Sequence, residues 1–286
     1  MIHNICTKRV IGILLISGTL AFATGCSNGG SHTIDGVSLL NRETNTINFP
    51  IYQYQLSPKE HSKIVDAKES VIERCLSIEG IVDPRKQRLS PSEDRPFGVW
   101  NPETTSLYGF SMPPRDQNGI LDDAPPWDQG LELEEQVAHE KCVGMMKDEL
   151  SSISVSEDLQ IDSMSNQILF KSFEQVSKST LARKLNGKWS KCLLEHGLSK
   201  TTGHSTWTSD DALAQLDDNF GNHPEREIGI ATIEARCNED LKVTEKLSKQ
   251  VAELQNSMID ENIGALENER KTLDGYVKAA TTILGE

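Results

Sequence analysis

The feature that most restricts this chain is a cysteine motif that occurs twice. Glu73-Arg74-Cys75-Leu76-Ser77-Ile78-Glu79-Gly80-Ile81 and Ser190-Lys191-Cys192-Leu193-Leu194-Glu195-His196-Gly197-Leu198 both read C-L-x-x-x-G-[I/L]. Physically this is a helix end. The glycine takes a left-handed conformation just past the helix, and the apolar residue after it folds back onto the leucine of the last turn. Each end is followed by a loop and then by a helix with a basic residue before its own cysteine, Lys141-Cys142 in one half and Arg236-Cys237 in the other. These four cysteines allow three connectivities, and their separations of 67, 50 and 45 residues do not choose among them. The repeat does choose, and it predicts Cys75–Cys142 and Cys192–Cys237. Each bridge contributes roughly 4 kcal/mol in the chain-entropy account. No C-x-x-C pair is present, which argues against structural zinc, and no thiolate-activating motif adjoins any of the four.

The last sixty residues, from His223-Pro224 to Leu284, carry the second strong pattern. Ile230, Ile233, Cys237, Leu241, Thr244, Leu247, Val251, Leu254 and Met258 recur in steps of three and four, the coiled-coil period. The stripe lacks an apolar residue at Asn262 and at Glu269, then resumes with Leu273, Val277, Ala280 and Leu284. A continuous helix of this length would reach about 90 Å, whereas a compact domain of this size is about 50 Å across. The helix is therefore expected to protrude or to fold back as a hairpin near Asn262-Ile263-Gly264.

The N-terminus reads as a secretory signal of the lipoprotein type. Lys8-Arg9 precedes an apolar run from Val10 to Phe22, and Ala23-Thr24-Gly25 leads into Cys26. The run is too short for a stable bilayer span. Residues 1–25 are the expected signal peptide, with Cys26 the lipidated residue and the protein anchored through it on the outer face of the cytoplasmic membrane. Removing the signal leaves 27 basic against 43 acidic side chains, a net charge of −16. Such a surface excludes nucleic acid as a partner and keeps the body off anionic headgroups.

Residues 26–50 contain Ser27-Asn28-Gly29-Gly30-Ser31 and read as lipidated cysteine plus flexible tether, so that the helical domain is expected over 51–286. Its two halves cover about 55–150 and 166–286. The first helix opens at Ser57-Pro58-Lys59-Glu60, a capping box with proline at the first helical position, and ends at Gly80. From Pro84 to Pro126 proline and polar residues argue against helix, leaving an irregular loop with aromatic clusters. Those aromatics read first as packing; the alternative is a stacking surface for a sugar or peptide, carried by Trp100, Tyr108 and Phe110. A second helix is expected over about Leu131–Leu150, with Leu133, Val137, Ala138, Cys142, Met145 and Met146 inward. A serine-rich link follows, then a helical region from about Asn166 to His196 bent at Gly187, with Trp189 covering the second disulfide. A short acidic helix from Ser209 or Asp210 to about Phe220 precedes the last sixty residues. The best strand signal is Thr46–Tyr52, limited by Pro50 to an edge. The fold class is all-α: disulfide-stapled helices, a long C-terminal helix and an irregular proline- and aromatic-containing loop region.

No phosphate-binding glycine loop, G-x-S-x-G elbow, H-E-x-x-H helix or EF-hand loop is present, so neither an enzyme, a cofactor nor a metal is expected. The acidic pairs Asp122-Asp123, Asp210-Asp211 and Asp217-Asp218 suit helix caps or a solvated surface better than catalysis. His139 and His196 lie beside cysteines expected to be oxidised, which makes them poor metal ligands.

Taken in order, several motifs resemble one family. They are the segment ending at Cys26, the C-L-x-x-x-G helix end, Arg95-Pro96-Phe97-Gly98-Val99-Trp100 with Leu107-Tyr108-Gly109-Phe110-Ser111-Met112-Pro113-Pro114, Lys141-Cys142, Trp189-Ser190-Lys191-Cys192-Leu193 with Gly197, and Arg236-Cys237. This order resembles a family of actinobacterial lipoproteins and secreted proteins that has no established activity. The likeness covers about residues 55 to 285; Cys192-Leu193 stands where the family has Cys-Met. The resemblance implies export and paired disulfides, and members that accompany transporter systems suggest an ABC export system as partner. The expected function is a non-catalytic interaction or accessory component of the cell envelope. The alternative is a ligand-binding lipoprotein for a cell-wall, sugar or peptide fragment.

Overall fold

The computed structural model describes residues 39–81, 94–111, 133–199, 207–219 and 224–286. The expected signal peptide and Cys26, together with Asp122-Asp123, lie outside the described residues. All described residues belong to one compact unit, and ten α-helices and one two-stranded sheet are found among them.

The body begins earlier than the tether reading allowed. Strands β1 (Leu40–Asn41) and β2 (Thr46–Ile47) pair antiparallel, with Leu40 opposite Ile47. A 3-10 helix, Pro50–Tyr54, follows at once. Ile47, Phe49 and Ile51 alternate into the core and are all but inaccessible. That period of two, cut short by Pro50, leaves a short strand and makes residues 39–50 part of the fold.

Helix α1 (Pro58–Ile78) starts as its capping box dictates. Ser57 Oγ accepts from Glu60 N, and Glu60 returns a carboxylate to Ser57 N. Glu60 also meets the Arg270 guanidinium at 2.8 Å, joining the start of α1 to the last helix. Helix α2 (Pro102–Tyr108) lies inside the segment expected to be irregular. There Pro102 starts a helix instead of breaking one, because it occupies the first turn behind the Asn101 cap, where no N–H is needed.

Helix α3 (Leu133–Met145) is shorter than expected and is followed by α4 (Lys147–Ser152) and α5 (Glu157–Ile161), the latter in the serine-rich link. In α3 only Ala138 and Cys142 are buried; Leu133, Val137 and Met145, expected inward, are 74%, 59% and 61% exposed. α3 packs mainly on α1 and α4, so little of its surface has anything to lie against.

Helices α6 (Met164–Ser177) and α7 (Thr180–Glu195) replace the single bent helix. The break is at Lys178-Ser179, where Ser179 Oγ caps α7 by accepting from Ala182 N, while Gly187 sits undistorted within α7. Helix α8 (Asp210–Asn219) begins behind Ser209 as expected.

The last sixty residues are two helices, α9 (Pro224–Leu241) and α10 (Val243–Leu284). The principal break is at Lys242, held in the left-handed region at φ 53°, twenty residues before the expected hinge. Asn238 fixes it by donating to Phe97 O and accepting from Thr244 N. At Asn262 the backbone is non-helical and Asn262 Nδ2 donates to Met258 O, a kink without a reversal. α10 is about 63 Å long, and its outer half neither protrudes nor doubles back. Leu266, Leu273 and Ala280 are buried, with α1 packed along the helix. The Glu269 gap in the apolar stripe is a cap: its carboxylate accepts from Met164 N and Ser165 N at the start of α6.

Both disulfides form as the repeat predicts, Cys75–Cys142 and Cys192–Cys237. Both helix ends carry the paired Schellman bonds, Ile81 N to Leu76 O with Gly80 N to Ser77 O, and Leu198 N to Leu193 O with Gly197 N to Leu194 O. The main core joins the 3-10 helix, α6, α7, α9 and α10. An aromatic series runs through it from Tyr52 by way of Phe49, Phe173, Phe97 and Trp207 to Trp189.

Candidate functional site

The aromatic loop is used internally. Trp100 is 4% exposed and donates its indole N–H to Asp94 O, which leaves no ring face free for stacking. Phe110 packs against the main core, and its backbone N–H is held by the buried Glu227 carboxylate at 3.0 Å. Tyr108 is half-buried at the end of α2. The space beside Trp100 amounts to about 10 Å³, room for about one water. Trp100, Tyr108 and Phe110 therefore do not assemble a sugar-sized pocket.

Buried carboxylates do not converge either. Glu227 holds Phe110 N, whereas Glu234, 1% exposed, accepts from Ser209 N at 2.7 Å ahead of α8. Burial pushes the Glu234 carboxyl up to about 7 against the lowering effect of that bond, and the charge of Asp211 adds to the rise. Asp211 itself accepts from Ser199 N and Oγ, which hold it below the usual carboxylate range, so this acidic pair stands at a helix start. The side chains of Asp217 and Asp218 lie outside the described residues.

Cys192, Cys237 and His196 bring their ligand atoms within 4.8 Å of one another. The two sulfurs are bonded to each other, and a metal would need them as thiolates. In its oxidised form this trio is a disulfide with an exposed histidine beside it.

A larger space lies elsewhere. Between the first turns of α1, the α5 segment, the start of α6 and the outer half of α10 is a cleft of about 190 Å³. On α1 the residues that face it are His61, Ile64, Val65 and Lys68, spaced i, i+3, i+4 and i+7 along one helical face. Leu56, Val155, Leu159 and Leu273 extend the apolar wall. Its polar side is Gln55, Gln160, Ser163, Ser165 and Asn166, partly tied together by Gln55 Nε2 to Asn166 Oδ1 at 2.8 Å and Asn166 Nδ2 to Gln160 O at 2.6 Å.

None of the lining residues is acidic, in a chain with 43 carboxylate side chains. Lys68 makes no hydrogen bond or ion pair among the described residues, and burial alone holds its ammonium below the usual lysine range. Burial, and then the charge of Lys68, lower His61 as well. The neighbouring ions are engaged elsewhere: Glu60 with Arg270, and Glu269 with the start of α6. The cleft is thus a recess with an apolar wall and a polar side, holding one cation that has no partner among the described residues. Sequence reading passed over it because Lys68 and His61 sit among apolar positions of an ordinary amphipathic helix. The one available signal was a lysine three residues from Val65 and from Val71, on the flank of the apolar stripe.

No family model, curated protein or solved structure matches the chain. Among the described residues no helix is long and apolar enough to cross a membrane.

Proposed function

We propose that this chain is a non-catalytic, lipid-anchored binding protein of the cell envelope, carried on the outer face of the cytoplasmic membrane by Cys26. Its ligand is a small molecule held in the cleft between α1, α6 and α10. The observation that carries this reading is Lys68, a cation with no hydrogen-bond or ion-pair partner among the described residues, facing a recess of about 190 Å³ whose described lining contains no acid. Keeping such a charge partly out of water is unfavourable unless something compensates it, and a bound ligand is the natural compensation. The test has two parts. Screening small molecules against the full chain by amide chemical shifts should give hits that move residues of α1 and α6; hits confined to other surfaces, or none, contradict it. Cys26→Ser should release the protein from the membrane fraction, and retention would contradict the anchor.

A second reading, an accessory role with an envelope partner such as an ABC export system, draws on a different feature. Ile78 at the end of α1 and Leu133, Val137 and Met145 on α3 are all exposed, apolar side chains of the kind that contact other proteins. In-cell cross-linking of the native lipoprotein followed by mass spectrometry would identify such a partner. Recovery of the monomer alone would remove this reading.

A further inference from the structure

The cleft's donors and charges specify the class of ligand, which deepens the binding-protein reading and rests on it. We infer that the cleft takes a small organic monocarboxylate, with Lys68 as counter-ion and the Ser163/Ser165 pair donating the second hydrogen bond, and with a short apolar body against Ile64, Val65 and Leu159.

The size follows from the volume. An engineered cavity of about 150 Å³ in another protein holds benzene, so about 190 Å³ suits a body of roughly six to ten non-hydrogen atoms. The apolar character follows from the wall of Leu56, Ile64, Val65, Val155, Leu159 and Leu273, against which burying aliphatic surface is favourable.

The anionic head follows from the two polar features. Lys68 has three ammonium hydrogens and no acceptor among the described residues. Ser163 and Ser165 are 5% and 3% exposed, and their hydroxyls lie 3.1 Å apart. Ser163 Oγ already accepts from Asn166 N. One hydroxyl of the pair donates to the other, so whichever is the donor, one O–H remains to be given to a ligand. A carboxylate has two oxygens to receive one ammonium and one hydroxyl.

The single charge follows from what surrounds the site. On α1 the titratable groups facing the cleft are Lys68 and His61, and burial and the charge of Lys68 disfavour a second positive charge on His61. The α5 segment and the start of α6 present only neutral groups, and α10 presents Leu273. The first N–H groups of α6 are bound by Glu269, whose negative charge stands directly behind Ser165. A phosphate dianion would meet one cation, no free helix terminus and a carboxylate behind the wall.

The experiment is titration of the full-length protein with isovalerate and phenylacetate, with isovaleramide as the neutral isostere and inorganic phosphate as the competing anion. Amide shifts locate binding and calorimetry measures it. The carboxylates should bind in the cleft with Kd on the order of millimolar or tighter. Isovaleramide should be at least tenfold weaker, and Lys68→Met should reduce carboxylate binding by a similar factor. Lys68→Gln, which keeps a polar side chain but removes the charge, should weaken it by a similar factor and stands in if Lys68→Met does not fold. Equal binding of acid and amide would overturn the carboxylate inference and leave the binding-protein reading intact. Phosphate binding more tightly than the carboxylates would overturn it too. No binding of any probe to the cleft would overturn both.

Discussion

The two disulfide units share a sequence pattern, a helix end and a bridge, yet they occupy different surroundings. At the second, Trp189 lies one turn before Cys192 and is 2% exposed, closing the main core over the bridge with Trp207 against it. At the first, the same position is Ile72, only partly buried, and the bridge belongs to a small cluster with Leu76 and Ala138. Four residues past the first cysteine of each unit the contrast continues. Glu79 pairs with Lys141 at 2.8 Å, whereas His196 and Arg236 are both basic and form no equivalent pair. A short motif thus encodes its own helix end and its cross-link, while packing depends on residues outside it. The less tightly packed first half also carries the exposed side chains of Ile78, Leu133, Val137 and Met145, and its α1 supplies one wall of the cleft.

Removing the bridges tests that contrast most severely. For loops of 67 and 45 residues the chain-entropy account gives about 4 kcal/mol to each. Cys192→Ala with Cys237→Ala should destabilise the whole core, whereas Cys75→Ala with Cys142→Ala should release mainly α3. Hydrogen exchange tells them apart: protection lost throughout α6, α7 and α9 in the first variant, and lost in α3 alone in the second. The single substitutions Trp189→Ala and Ile72→Ala sharpen the same point. Denaturant unfolding should show a loss of about 3–5 kcal/mol for the tryptophan and about 1–2 kcal/mol for the half-buried isoleucine.

A pH effect of intermediate size belongs to Glu234 in the second half. Glu234 is raised from an ordinary value of 4.5 to about 7, so the folded state binds its proton more tightly than the unfolded state does. Its contribution is full below about pH 4.5 and is lost as pH rises to about 7, a change of roughly 3 kcal/mol. Glu234→Gln keeps an acceptor for Ser209 N and should remove this slope from stability measured across that window. An unchanged slope would place the titration elsewhere.

The smallest effect should be equal in the two halves. Gly80 and Gly197 sit at φ 76° and 81°, with open space where a Cβ would go. Alanine at either should cost about 1 kcal/mol through backbone conformation alone. A large difference between them would mean that the helix ends are not equivalent.

What was legible in the sequence was local. The capping box at Ser57, the two Schellman ends and the cysteine pairing are determined by residues within one turn or by the repeat, and each is found as expected. The Asn101-Pro102 start of α2 was legible in the same terms, but the surrounding prolines obscured it. The break at Lys242 was not legible, because Asn238 imposes it through Phe97 O, 141 residues away in sequence. The meaning of Glu269 was hidden likewise: a gap in an apolar stripe becomes a cap only once α6 lies beside it. The cleft was hardest to see, since it combines one face of α1 with the α5 segment, the start of α6 and the outer half of α10, and none of these signals a site alone.

The most direct measurement is an NMR titration of the Lys68 side chain in the full-length protein, with and without isovalerate. An unpaired, half-buried ammonium should titrate below an exposed lysine in the free protein and move upward when the carboxylate binds. An ordinary lysine value that the ligand leaves unchanged would contradict the account.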